Sequence, residues 1–177
     1  MRHQWTKPSC LFFLLTILIL VCALLCYHNA AHSLATREDI KALLAAKEPQ
    51  LLALARQAQG KELSCQRTEA SQQERMDWRS RLTFFGTGML RVDGTKEEGL
   101  TRFVFRSVYP EGGISLYHSP SGEAAVIAQI RHHTGISFDA IPEDGACQEG
   151  LGIDRSGFVY CERLQPGLYL VEYHLPT

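Results

Sequence analysis

His132 and His133, with His118 and Asp139 near in sequence, are the residues most suggestive of metal chemistry in this chain. Their spacing argues against it. On a strand, neighbouring side chains point to opposite faces, and the His-x3-His and Cys-x2-Cys spacings of ordinary zinc sites are absent. The alternative is a pair of strand-end histidines. Cys147 and Cys161 supply thiols that a histidine such as His118, His133 or His174 would activate for nucleophilic chemistry if it lay beside them. Disulfide pairing is the stronger reading for both. Ser119, Ser121 and Ser156 sit in turn-like contexts without a Gly-x-Ser-x-Gly elbow, which argues against serine chemistry. Glu143, Asp144, Glu149 and Asp154 form an acidic stretch, but the Asp-x-Asp-x-Asp pattern of a calcium loop is missing. Gly86-Thr87-Gly88 lacks the third glycine and following helix of a phosphate loop, so a strand bend is expected there. The reading is therefore non-enzymatic, with no cofactor and no metal, and a cysteine or histidine hydrolase is the minority alternative.

The elements that would carry these residues begin with an address. Arg2, Lys7 and the free amine precede Leu11 to Tyr27, a run of 17 residues without a charge. This pattern predicts a cytoplasmic tail over 1–10 and a transmembrane anchor or uncleaved signal over 11–27, oriented N-in, because basic flanks resist translocation. Ser33-Leu34-Ala35 also satisfies the small-x-small rule, so cleavage after Ala35, giving a secreted β-rich protein, stands as an alternative. All 19 acids lie beyond position 35, interspersed with the bases, and leave no basic stripe for nucleic acid.

Thr36-Arg37-Glu38-Asp39 has the form of an N-cap with an acid three residues on, followed by Ile40, Leu43, Leu44, Leu51 and Leu54 at helical spacing. A helical stalk over 28–60 follows, kinked near Lys47-Glu48 by Pro49 and stopped at Gly60, its leucines packing on the domain or on a partner. Residues 61–177 form the exported β-rich domain. Ser64 to Ser80 reads as loop or short helix. Strands are expected at Leu82–Phe85, Met89–Val92, Thr101–Tyr109, Ile114–His118, Ala124–Arg131, Ile136–Ala140, Phe158–Cys161 and Leu168–His174, separated by glycine-bearing turns. In the third of these the phenylalanines would enter the core while Arg102 and Arg106 face water. The fold class is α+β, mainly β: a membrane helix, a short helical stalk and an antiparallel curled sheet or small lipocalin-like barrel of about seven or eight strands. A barrel of that kind would suit a small apolar ligand, with Phe103, Phe105, Tyr109 and Tyr117 as lining residues or, as the stronger reading, as core filling.

Among the three exported cysteines at most one internal disulfide forms. Cys147–Cys161 is favoured by proximity along the chain, whereas pairing Cys65 with either would close a longer loop and gain more in chain entropy.

The segments Phe-Gly-Thr-Gly-Met-Leu-Arg-Val-Asp-Gly at 85 to 94 and Leu-Thr-Arg-Phe-Val-Phe-Arg-Ser-Val-Tyr at 100 to 109, after an apolar span, a helical stalk and Cys65, resemble the FidL-like membrane proteins of enteric bacteria. The resemblance implies a single-pass bacterial inner-membrane protein with a periplasmic domain, associated with a membrane-bound transcription regulator. By analogy with ToxS-type partners, the domain would complete or stabilise the regulator's sensory domain. It implies no catalytic residue.

Overall fold

A computed structural model of the chain describes residues 7–31, 33–64, 74–95, 99–106, 112–134, 147, 153–154 and 157–174. It is α+β. The first element, α1 (Lys7–Ala31), is a 25-residue helix rich in leucine, isoleucine and phenylalanine. α2 (Arg37–Gln57) follows, and its start is fixed by side-chain chemistry. The Thr36 hydroxyl accepts from the Asp39 amide at 3.2 Å while the Asp39 carboxylate accepts from the Thr36 amide at 2.9 Å, so the expected cap is a reciprocal box. Pro49 removes one amide donor, and the backbone leaves helical geometry at Lys47 (φ −137°, ψ 25°), where the kink was expected. Gly60, at φ 70°, turns the chain away after the Ala58 cap.

The strands are β1 (Glu62–Ser64), β2 (Glu74–Arg75), β3 (Met89–Gly94), β4 (Thr101–Phe105), β5 (Gly112–His118), β6 (Ile153–Asp154), β7 (Gly157–Gln165) and β8 (Leu168–His174). Two further helices are α3 (Trp78–Thr83), after β2, and α4 (Glu123–Thr134), after β5. The eight strands form one sheet in the order β2-β1-β3-β4-β5-β8-β7-β6, antiparallel except for the parallel β1–β2 pair. The expected barrel is not formed: among the described residues the sheet is open, with β2 and β6 at its edges.

The reason is that both faces of the sheet are covered by helices, so nothing is gained by closing it around an interior. On one face Val92, Phe103, Phe105, Ile114, Leu116 and Leu170 pack with Ile40, Leu51 and Leu54 of α2. The leucines of the expected stalk thus belong to the domain's own core. On the opposite face Tyr117, Val159, Tyr169 and Val171 pack with Val126, Ile127 and Ile130 of α4. The Ala124–Arg131 segment, expected as a strand, is therefore helical. Its three buried residues follow a helical period, and the Ser119–Gly122 turn, closed by the Gly122 amide on the Ser119 carbonyl at 3.1 Å, launches it. Leu82–Phe85 is likewise not a strand but the end of α3 and the turn beyond it. The expected Ile136–Ala140 strand lies outside the described residues.

Polar contacts pin α2 at its start. Arg37 Nε meets Glu172 Oε2 at 2.7 Å and Lys41 Nζ meets Glu162 Oε2 at 2.9 Å. Burial pushes the Glu162 carboxyl up, but hydrogen bonds from Tyr160 and Lys41 outweigh it and hold the group below its ordinary value. At its other end α2 lies so close to the sheet that a Cβ on Gly94 would come 1.8 Å from the Ala58 carbonyl oxygen. Only glycine fits there.

Two predictions follow from this packing. Gly94→Ala must push α2's end off β3, and should lower stability by about 1–3 kcal/mol, read as a lower urea midpoint at unchanged slope. Asp39 is held below the ordinary carboxyl value by hydrogen bonds with Thr36. Because its folded pKa is depressed, the cap's contribution is present above the unfolded value of 3.8 and is lost as pH falls through the folded one. Thr36→Ala should cost about 1 kcal/mol at neutral pH, and the loss relative to the parent should shrink on acid titration followed by circular dichroism.

Candidate functional site

The favoured disulfide is present. Cys147 and Cys161 are bonded with Cα atoms 5.0 Å apart. Cys161 lies on β7 opposite Val171 and is fully buried under α4, and Cys147 is buried beside it. Glu123 in the first turn of α4 interacts with the Cys147 backbone amide, which lowers its pKa against the stronger upward push of burial. The bond thus joins β7 to the segment that follows α4. Both sulfurs are consumed, which removes them as nucleophiles. Cys22 and Cys26 are free and exposed on α1, and Cys65 lies outside the described residues.

His118, at the end of β5, has its pKa lowered by burial and by the nearby Arg56 charge. His132 is exposed on α4, a helix where a strand was expected. Among the described residues there is no group of three or more His, Cys, Asp or Glu side chains able to hold a metal ion. Asp139, Glu143, Asp144 and Glu149 lie outside them. Ser119 spends its hydroxyl on the Gly122 carbonyl at 2.5 Å and lies 3.3 Å from the Ser121 hydroxyl, as a turn residue does.

The three described residues among the four expected ligand-lining aromatics do not share an interior. Phe103 and Phe105 are buried against α2, whereas Tyr117 is buried on the opposite face beneath α4, and Tyr109 lies outside the described residues. Period-two alternation put the phenylalanines inward correctly. It failed for Arg102, which is buried rather than facing water.

Arg102 belongs to a polar seam across the α4 face. Asp93, Arg102 and Tyr117 are direct cross-strand neighbours on β3, β4 and β5. Arg102 Nε donates to Ser115 Oγ at 3.2 Å, and its guanidinium lies 5.9 Å from the centre of the Tyr117 ring. Arg91 Nε meets Asp93 Oδ2 at 3.3 Å and Arg91 Nη1 meets Glu62 Oε1 at 3.5 Å. Burial raises the Asp93 pKa despite the attraction of Arg91, and Asp93 Oδ1 is buried without a hydrogen-bond partner among the described residues. Tyr117 is pushed up to about 12 by burial, so it remains a phenol at any physiological pH. The seam supplies charge pairing inside the sheet.

The other surface of interest is α1 and its junction with the domain. From Phe12 to Tyr27 the apolar side chains are exposed on every side, Phe12 to 73% and Val21 to 45%. Below it the chain is tightly held. Ser33 Oγ donates to the Gly86 carbonyl at 2.9 Å, the Ala35 amide donates to the Arg106 carbonyl at 2.8 Å, and the Arg106 amide donates to the Gly88 carbonyl at 2.7 Å. Gly88 takes φ 75°, and a Cβ there would meet the Ser33 carbonyl oxygen at 3.1 Å. The expected bend at Gly86-Thr87-Gly88 is thus a turn between α3 and β3 that receives the chain leaving α1. This junction was not foreseen, although the two glycines signalled an unusual backbone. Among the described residues no helix is long and apolar enough to cross a membrane.

No family model matches the chain, and no curated protein and no solved structure is significantly similar to it.

The disulfide yields a direct prediction. It closes a loop with a sequence separation of 14. Reduction, or Cys147→Ala with Cys161→Ala, should cost about 3 kcal/mol in the chain-entropy account. Urea unfolding of the double variant beside the oxidised parent measures it.

Proposed function

We propose that the chain is a single-pass membrane protein, N-in, whose folded domain lies in the bacterial periplasm and acts without catalysis as an interaction or sensory module, an accessory partner of a membrane-bound transcription regulator. The observation that carries this reading is α1, a helix with apolar side chains exposed around its whole circumference. A helix without a polar face is stable inside a large core or in lipid, and α1 is not in the domain's core. Its described side chains run from Phe12 to His28, about 26 Å at 1.5 Å per residue, just short of a hydrocarbon layer of about 30 Å. Helical backbone continues to Lys7 at one end and Ala31 at the other, so the reading draws on these flanks for length that the described apolar side chains alone do not supply.

Three observations support the rest of the proposal. The basic flank of Arg2 and Lys7 favours N-in insertion. The disulfide suits an oxidising compartment. Ala35 is buried in the core and bonded to Arg106, so cleavage after it would strip the fold of a packed residue, which favours a retained anchor over a cleaved signal. The kind of partner rests on the resemblance of residues 85–94 and 100–109 to the FidL-like proteins.

The test uses the full chain expressed in a Gram-negative bacterium. It should resist alkaline carbonate extraction, keep its N-terminal residues by mass spectrometry, and lose its domain to protease only after the outer membrane is opened. Photo-crosslinkers at exposed Ala45, Ala46 and Glu74 should capture a single-span protein with a cytoplasmic DNA-binding domain. A chain released by carbonate, or one that stays monomeric at every crosslinking position, overturns the reading.

A further inference from the structure

α3 and the turn beyond it carry an apolar stripe that the domain leaves uncovered. Trp78, Leu82 and Phe85 are 64%, 67% and 46% exposed, and their spacing of four and three sets them along one side of the segment. The segment is nonetheless firmly seated. Met76 and Phe84 flank the stripe and are buried in the core, Lys47 Nζ donates to the Thr83 carbonyl, and Asp77 caps α3 by accepting from the Arg79 and Ser80 amides. Large side chains held outward on a fixed scaffold leave about half or more of their surface uncovered by the domain.

Two observations say what covers them. Phe85 stacks on Tyr27 at a ring-centre distance of 5.4 Å, and Tyr27 ends the uncharged run of α1, so the stripe is continuous with the apolar surface of α1 where the chain leaves it. The charges around the stripe are predominantly positive: Arg75 and Arg79 are exposed, Arg81 half-buried, and the Arg79 guanidinium lies 5.4 Å from the Trp78 ring. The nearby acids are engaged, Asp77 by Ser80 and Glu74 by Lys61. A tryptophan beside leucine and phenylalanine, ringed by arginines, has the composition of a segment lying at a lipid headgroup boundary, where the indole is half in hydrocarbon and guanidinium groups meet phosphate.

We propose that α3 and its following turn form a second membrane contact, seated on the anionic surface of the same bilayer that holds α1, with Trp78, Leu82 and Phe85 inserted at the interface and Arg75, Arg79 and Arg81 on lipid phosphates. This rests on the reading of α1 as a membrane anchor. The two contacts together fix the domain's orientation on the membrane, which a single helix joined to a domain by one short link does not. The polar seam and the α4 face are then presented at a set angle to any partner in the same membrane.

The experiment uses the full chain carrying Trp5→Phe, which leaves Trp78 as its sole tryptophan. It is reconstituted into phosphatidylcholine vesicles with or without phosphatidylglycerol, some with acyl chains brominated near the headgroup. Vesicle flotation reads the α1 anchor, and Trp78 emission reads the second contact. The expected result is flotation in both lipids, with blue-shifted Trp78 emission strongly quenched by the shallow bromines, more so with phosphatidylglycerol. Leu82→Glu, at a residue outside the core, should restore the emission without loss of flotation or of the circular dichroism signal. A chain that floats while Trp78 stays unquenched overturns the second contact and leaves the anchor standing. Trp78 shielded from aqueous iodide yet unquenched by lipid means that protein covers the stripe, and also overturns it. A chain that does not float overturns both.

Discussion

The pairing of β5 with β8 inside the sheet imposes the constraint on which the structure depends, because this pair presents large apolar side chains on both faces. Ile114, Leu116, Leu168 and Leu170 point to one side, and Tyr117, Tyr169 and Val171 to the other. At about 1.5–3 kcal/mol for each large side chain fully buried, leaving either side to water would forfeit more than a small domain can spare. Two covers are therefore required. One comes from before the sheet, as α2, and the other from within it, as α4. Ion pairs such as Arg37–Glu172 and Lys41–Glu162 set where α2 begins on its face. At about 0–1 kcal/mol for partly exposed pairs, they align the helix rather than hold it.

The placement of α1 is a consequence of the same packing. α2 can lie on its face only if the preceding residues reach it between the end of β4 and the turn before β3. Ala35 is accordingly bonded to Arg106, Arg106 to Gly88, and Ser33 to Gly86. The exit of α1 beside α3 is fixed by these bonds. On the opposite face α4 brings the disulfide over β7, and the Asp93–Arg102–Tyr117 seam occupies the strands toward β3. Charge inside the sheet is tolerated there because opposite signs are neighbours in register.

Elements whose signals are local were legible in the residues. The Thr36–Asp39 box, the Pro49 kink and the Gly60 stop each act within one turn of chain, and all stand where those residue types put them. Strands β3, β4, β5, β7 and β8 were legible from alternation between glycine-bearing turns. α4 was not: Val126, Ile127 and Ile130 are β-branched residues of high strand propensity, and their helical spacing decides only when there is a sheet face for the stripe to cover. Leu82–Phe85 failed for a related reason. Its apolar run splits between outward Leu82 and Phe85 and inward Phe84, a division made by the neighbouring core and by α1. Arg102 was assigned to water because alternation specifies the face but not whether that face is covered.

By itself, then, the sequence determined the order and type of most elements, the capped start and kink of α2, an uncharged apolar segment near the N-terminus, and a short-range cysteine pair able to close on itself. These follow from chain-local physics: backbone hydrogen bonding, side-chain periodicity and the reach of a short loop. Tertiary structure alone decided that the sheet stays open, that the leucines of α2 pack on this domain as a core layer rather than on a partner, that Arg102 is buried, and that Phe103 and Tyr117 lie on opposite sides. Each of those depends on which distant segment covers a given face, and burial is a property of the pair in contact rather than of either segment alone.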